Sequence, residues 1–537
     1  MAFQQSPGIN VTEIDLTTVV PAVSTTTGAI AGVFAWGATN EPILVSSEVD
    51  LVKRFGKPVS TATWKNTETF FTAADFLAYG NSLYVVRVST GNTADPASAG
   101  STGALVGFKA KYPGSLGNSL QIMATDNQAY ASANSTIKAA VSGAPSANSA
   151  HVVVIDTTGS FSGIVNSVIE VFEDVSLLPQ AKKEDGTNNY IADVINAYSN
   201  YIKLEINGMP GANTTYLLNT QFVEQFADGT DGDNEDTIAI NALETGYDYF
   251  KNPENIDVSL IMQGVARGIN DIELASYIIN MAQTRTDALA FISPARADVV
   301  GVNESTALSS VSGFATALSG VVTSSYGVVD SGYKYRYDRY NDKYLYTPLN
   351  GDIAGLCART DDTRDPWFSP AGYNRGGIKN IIKLAYNPGK ADRDALYKLA
   401  VNSVITQSGQ GTVLFGDKTF LLKPSAFDRI NVRRLFIVLE KAISRASKST
   451  LFEFNDEFTR AQFRNLIEPF LRDVEGRRGI YNYRVVCDES NNTPEVIDRN
   501  EFVGDIYIKP ARAINFIQLN FIAVRTGIEF EEIIGLR

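Results

Sequence analysis

The stretch DRINVRRLFIVLEKAISRASK, Asp428 to Lys448, decides how this chain is read. Plotted at about 100° per residue, Val432, Leu435, Phe436, Leu439, Ala442, Ile443 and Ala446 fall in one arc, and Arg434, Lys441, Arg445 and Lys448 gather in another. One apolar and one cationic stripe predict a helix buried along one side. A second helix is predicted from Asp456 to Asp473. The period then changes, and RGIYNYRVV, GDIYIKP, INFIQLNFIAV and IEFEEIIG read as strands rich in Ile, Val, Phe and Tyr. The apolar terminal strand predicts an edge that has to find a partner.

Charge distribution says more than composition. Hydrophobic content of 44% and charged content of 20% are those of an ordinary soluble globular protein. No stretch approaches the roughly 20 apolar residues that a bilayer span requires, and MAFQQSPGIN has neither a basic nor an apolar signal region. Residues 375–537 hold 25 Lys+Arg against 20 Asp+Glu, a balance of +5, which leaves −18 of the net −13 to the other 374 residues. So mild a basic block is thin for nucleic acid, and the acidic bulk repels phosphate. A cationic stripe facing an acidic protein surface fits better, beside the plain alternative of solvated helix faces. Cys357 and Cys487, 130 positions apart, are expected as buried thiols.

Outward from the C-terminal block, the chain divides by rhythm. Residues 6–16 form an extended arm in which Ile9, Val11, Ile14 and Leu16 interleave with polar residues. A strand so short must pair with something. TTTGAIAGVFAWG, EPILVSSEVDLVKRFG, a helix from about Thr67 to Tyr79 and the strand SLYVVRV set an α/β rhythm. From Gly91 to about Asp236 the chain turns to Ala, Ser, Gly, Asn and Thr, which reads as an inserted β-rich domain closed by DGTDGDNED, an acidic linker rather than a calcium loop. The rhythm resumes with VSLIMQG, DIELASYIINMAQTR and ALAFISP. YKYRYDRYNDKYLYTP reads as a hairpin with tyrosines paired across it, in preference to a platform for single-stranded nucleic acid.

These readings predict an α+β multidomain fold. Its parts are an N-terminal arm (1–22), a discontinuous α/β middle domain (23–90 and 237–374), a β-rich outer insert (91–236) and an α/β C-terminal core (375–537) completed by the arm.

Chemistry is sparse. The one histidine, His151, lies in the apolar run HVVVID, so neither a His-based triad nor a His-pair metal site can form within a chain. Gly56-Lys57 and Gly389-Lys390 lead to Pro58 and Ala391 rather than completing a P-loop. Asp361, Asp362 and Asp365, with Arg359 and Arg364 beside them, read as a salt-bridged loop rather than an acid/base pair. No catalytic, cofactor or metal site is expected.

What remains is assembly, and here the sequence carries a resemblance. RINVRRLFIVLEKAI, NDEFTRAQFRNLIEPFLRDVEGRRGIYNYRVVCD and VGDIYIKPARAINFIQLNFIAVRTG resemble the C-terminal region of contractile tail sheath proteins of bacteriophages. PGINVTEIDL with PILVSSEVDLVKRFG, and DIAGLCARTDDTRDPWFSPAGYNRGG, are similar to the family's first domain and core entrance, and KYPGSLGNSL looks like its insert motif. The resemblance implies a homo-oligomeric helical sheath around a tail tube, with baseplate and tail terminator proteins at its ends, in a virion tail assembled in the host cytoplasm. It also implies contraction from a metastable extended state and no role for nucleic acid or membrane insertion. Donated strands are expected at Ile9, Val11 and Ile14, and at Ile528, Phe530 and Ile533. Contacts to the tube are expected from Arg434, Lys441, Arg445 and Lys448, or from Arg460 and Arg464 on the next helix. A phage-derived injection particle or a non-contractile surface protein are the alternatives.

Overall fold

Leu260–Met262, Leu289–Ile292 and Gly327–Asp330 are short runs with every residue buried, and buried runs of this kind build parallel sheets covered on both faces. The computed structural model, which describes residues 25–61, 64–90, 107–206, 209–210, 222–267, 272–515 and 518, contains such a sheet at its centre. Its strands are β1 (Gly28–Gly32), β2 (Pro42–Val45), β3 (Leu83–Arg87), β4 (Leu260–Met262), β5 (Leu289–Ile292), β6 (Gly327–Asp330) and β7 (Val401–Asn402), in the spatial order β7-β6-β5-β4-β1-β3-β2. Every neighbouring pair is parallel except β2 against β3. The edge strand β7 lies beyond residue 374, so the α/β sheet runs past the boundary expected there.

Strand alternation sends side chains to two cores. Ala29, Ala31, Val86 and Ile261 pack against Ile278, Ile279, Phe314 and Leu318. Ile30, Val85, Leu260 and Met262 pack on the opposite side against Phe70, Phe76, Ile353 and Leu356. These last four belong to helices α1 (Thr67–Leu77) and α2 (Asn350–Thr363). Glycines let the two helices approach. A Cβ at Gly351 would stand 2.3 Å from the Thr72 carbonyl oxygen, and one at Gly355 would stand 2.5 Å from the Tyr79 ring. The tyrosine-rich segment forms a hairpin, Tyr333–Asp338 with Lys343–Pro348, whose register sets Tyr335 opposite Tyr346 and Tyr337 opposite Tyr344. Its Lys334 reaches into the α1–α2 seam and is shared by Asp75 (3.0 Å) and Asp352 (2.8 Å), all three buried.

An antiparallel sheet ordered Phe222–Gln225, Leu120–Asp126, Ser149–Asp156, Ser167–Ser176 forms the β-rich part, with Gly107–Ala110 and Ile202–Ile206 paired beside it. His151 is spent there, its Nδ1 accepting from Asp174 N–H (3.0 Å) while Nε2 lies 2.9 Å from the Gly143 carbonyl. Trp36, from the α/β body, joins this core and meets Tyr112 and Phe161 edge-on. DGTDGDNED is a seam rather than a free linker. Asp231 accepts from the Ser115 N–H (2.7 Å) and hydroxyl (2.5 Å), and Asp236 pairs with Lys65.

Glu235, fully buried, accepts from the N–H groups of Glu68 (3.1 Å) and Thr69 (2.9 Å) and so caps α1 from a distance. Beside it, burial and then the Glu235 charge push the Glu68 carboxyl from 4.5 up to about 8, against weaker opposing influences from Lys65, the Tyr333 hydroxyl donated to it and Arg296. The folded chain therefore holds a proton that the unfolded chain has released by about pH 5, so stability falls as pH rises from about 5 to 8. Glu68→Gln removes this proton while keeping an acceptor for Tyr333. Urea midpoints at pH 5 and pH 8 are expected to lie closer together in the variant than in the parent; an unchanged gap would show that another group carries the dependence.

Candidate assembly surfaces of the C-terminal unit

The amphipathic stretch becomes α3 (Ile430–Ser447), followed by α4 (Glu457–Gly476), whose N-cap Asp456 accepts from Thr459 N–H (2.8 Å). Leu435 and Leu439 of α3 meet Phe463, Ile467, Leu471 and Val474 of α4 in a small core closed by Trp367 and by Ile480. Ile480 opens the hairpin β8 (Ile480–Val486) and β9 (Asp505–Pro510), antiparallel with Tyr483 opposite Ile508 and Val485 opposite Ile506. Ile480, Tyr483, Val485, Ile506 and Ile508 turn toward α4, while Tyr481 and Tyr507 are exposed. Among the described residues, this sheet has two strands and neither outer edge is paired.

The cationic stripe is where sequence and structure part. Arg434 is buried, its side chain 4% exposed, and clasps Asp361 in a two-pronged ion pair while also donating to the Cys357 carbonyl (3.1 Å). The Thr25 hydroxyl donates to the same carboxylate (2.5 Å). Lys441 and Arg445 both pair with Asp257 of the α/β body. The stripe does face an acidic surface, but that surface belongs to its own chain. On the next helix Arg460 is buried and donates to Asn455 Oδ1 (2.8 Å), and Arg464 donates to the Cys487 carbonyl. Of the six candidates for tube contact, Lys448 alone is both exposed and without a described side-chain partner. Helical periodicity identifies which residues share an arc; it does not say whether the arc meets solvent or another part of the fold.

Sequence reasoning missed the apolar corner between α3 and α4. Leu451, Phe452, Phe454 and Phe458 are strongly exposed beside Lys448. Phe452 has φ +71°, a left-handed conformation rarely adopted by a bulky residue. The signal was available as LFEFNDEF, four apolar residues in eight with no core period. Cys357 and Cys487 are free and buried, and burial pushes the Cys357 thiol up to about 12. Among the described residues there is no group of three His, Cys, Asp or Glu side chains fit to hold a metal ion, and no helix long and apolar enough to cross a membrane. Ile9, Val11, Ile14, Ile528, Phe530 and Ile533 lie outside the described residues.

Comparison with known proteins decides the identity of this architecture. Residues 25–88 match the tail sheath protein Gp18 domain III N-terminal region, residues 234–420 the phage tail sheath protein central domain, and residues 423–523 the phage tail sheath C-terminal domain. The tail sheath protein of Enterobacteria phage T4 is 33% identical, with 99% of each chain covered, and that of Vibrio phage KVP40 is 32% identical with the same coverage. The chain belongs to the phage tail sheath family.

Solved sheath structures share the fold. The sheath tail protein of Desulfitobacterium hafniense superposes with a TM-score of 0.55 at 12% identity, over 90% of this chain and 94% of that one. The sheath of the PVC extracellular contractile injection system, in its contracted state, gives 0.53 at 14% identity over 99% and 100%. The chain is thus a tail sheath subunit.

Because Arg434 and Asp361 neutralise each other out of water, removing one strands the other. Breaking a buried pair costs about 3–5 kcal/mol, whereas an exposed charge is worth no more than about 0.5 kcal/mol. Arg434→Ala is expected to lower unfolding free energy in denaturant by about the first amount, and Lys448→Glu to leave it within the second. Equal, small effects would mean that the pair is not holding α3 to the body.

Proposed function

We propose that this sheath subunit polymerises helically around a tail tube by lending its chain ends to neighbours, and that the extended polymer is metastable and contracts to drive the tube through the host envelope. The observation that carries this reading is the β8–β9 hairpin, with one face on α4 and, among the described residues, two open edges. A two-stranded sheet is marginal in water, and open edges are templates for an added strand. The arm bearing Ile9, Val11 and Ile14 and the terminal strand bearing Ile528, Phe530 and Ile533 supply such strands from adjoining copies. About six to eight main-chain bonds per added strand, at roughly 0.5–1.5 kcal/mol each, together with buried Ile and Phe, hold subunits together while letting them reorient. The same contact repeated without closing gives a helix.

Contact with the tube protein falls to the α3–α4 corner. There Lys448 adds a charge to the apolar group Leu451, Phe452, Phe454 and Phe458, a surface with no reason to be apolar in an isolated subunit. Baseplate and terminator proteins bound the polymer at its ends, assembly precedes release from the host cytoplasm, and the role of the chain is mechanical rather than catalytic.

Two measurements test this. Deleting residues 1–16 is expected to leave a folded subunit, by circular dichroism, that forms no hollow cylinders in negative-stain micrographs; a truncated chain that still grows cylinders overturns strand lending. Combining Lys448→Glu with Phe452→Asp and Phe454→Asp is expected to spare sheath-only cylinders while tubes stay bare. Normally sheathed tubes would remove the corner from the tube contact.

A further inference from the structure

Asp361 and Asp365 do not pair with the arginines beside them in sequence. Asp361 takes Arg434 and Asp365 takes Arg477. Arg359, near the end of α2, and Arg364, its C-cap, are left over, and with Arg375 they line a cleft of about 250 Å³ completed by Thr360, Thr363 and Asn374. Among the described residues, no carboxylate lines it. Neither Arg359 nor Arg364 has a side-chain hydrogen bond or ion pair with a described residue. Arg375 is fixed in place, its Nε donating to the Ser369 carbonyl (2.8 Å) and its guanidinium 5.5 Å from the Phe368 ring, which leaves its terminal nitrogens for the cleft. Both lining threonines donate their hydroxyls back into the helix, Thr360 to Leu356 O and Thr363 to Arg359 O. Charge rather than hydroxyl chemistry therefore defines what the cleft accepts. Burial, and then the Arg364 charge, lower the Arg375 pKa, and burial followed by Arg359 lowers that of nearby Lys379. Gathered cations without a counter-charge are a cost that a bound anion removes.

We propose that this cleft is an oxyanion site filled, in the polymer, by the paired carboxylates Glu13 and Asp15 of a second copy of this chain. The inference rests on the assembly reading above. Residues 1–24 contain those two acids and no Lys or Arg. In an extended reading of TEIDL, Glu13 and Asp15 share one face, roughly 6.6–6.8 Å apart, and Ile14 and Leu16 the other. Two carboxylates at that spacing suit three guanidiniums, which bind carboxylate in a forked, two-bond geometry. Among the described residues the cleft has no counter-charge, and the acidic arm of an adjoining copy is of the right chemistry to supply one.

The test uses charge exchange in the full chain, with cylinder formation read by electron microscopy and pelleting. Arg359→Glu with Arg364→Glu, and separately Glu13→Arg with Asp15→Arg, are each expected to raise the protein concentration needed for cylinders at least about tenfold (~1.4 kcal/mol). An equimolar mixture of the two variants is expected to copolymerise, because each subunit then offers what the other's reversed site accepts. Wild-type polymerisation of both single-site variants overturns the proposal. Rescue in a chain carrying all four changes but not in the mixture would assign the carboxylates to the same copy and overturn it too. Arginine-dependent thermal stabilisation by inorganic phosphate, with no rescue in either format, would make the cleft a free-oxyanion site instead. Should charge reversal unfold the subunit, Arg359→Gln with Arg364→Gln replaces it, and an unchanged polymerisation threshold then counts against the site. Failure of the unaltered chain to form cylinders speaks against the assembly reading and not against this one.

Discussion

Helix α3 is buried on two unlike sides, and much of the molecule is arranged by that constraint. Its apolar side builds the small core shared with α4 and the hairpin, while Arg434, Lys441 and Arg445 reach Asp361 and Asp257 on the α/β body. A guanidinium taken out of water is tolerable only when its charge and donors are met, and Arg434 is met by a carboxylate and a backbone carbonyl. The pair ties α3 to α2, which carries Asp361. It also holds the start of the described chain, since Thr25 donates to the same carboxylate. Arg433 adds a second anchor between the Tyr326 and Phe427 rings, 4.3 and 4.0 Å away.

How much of this was legible follows from what periodicity encodes. The helix read over Asp428 to Lys448 is Ile430–Ser447, and the one read to Asp473 runs to Gly476. The tyrosine segment is a hairpin because cross-strand aromatic pairs need only local alternation. Pairing at a distance is another matter. Arg359 and Arg364 sit among three aspartates within seven positions, yet the structure spends Asp361 and Asp365 on Arg434 and Arg477, 73 and 112 positions away. Arg359–Asp362 and Asp361–Arg364 even stand at the three-residue spacing that brings helix side chains together, yet Asp361 goes to the distant Arg434, so proximity in sequence is weak evidence of a bond. The two-residue edge strand Val401–Asn402 was equally hidden, being too short to show a period.

The acidic stretch 228–236 illustrates the same limit. Its composition is that of a solvated linker, and nothing local distinguishes Glu235 from its neighbours. In the fold, Glu235 is the buried cap of α1, Asp231 grips the insert at Ser115, and Asp236 grips Lys65. Together with Trp36 in the core of the β-rich part, these contacts bind the insert to the α/β body over a broad seam. The insert is thus joined to the body by apolar packing around Trp36 and by polar bonds along the seam.

These contacts bear on how a sheath of such subunits would change length. Within the subunit, the strongest links between its parts are shared cores and buried pairs such as Arg434–Asp361, and breaking such a buried pair costs several kcal/mol. Among the described residues, the features without such internal support are peripheral: the two open edges of the β8–β9 hairpin, the apolar α3–α4 corner and the arginine cleft at the end of α2. On the proposed reading, a contracting polymer therefore rearranges at contacts between copies and keeps each copy intact. Main-chain bonds of a lent strand suit that role because they are individually weak and tolerate a swing of the tether. Salt bridges at a half-open cleft suit it as well, since water and ions can take over either partner as the two separate.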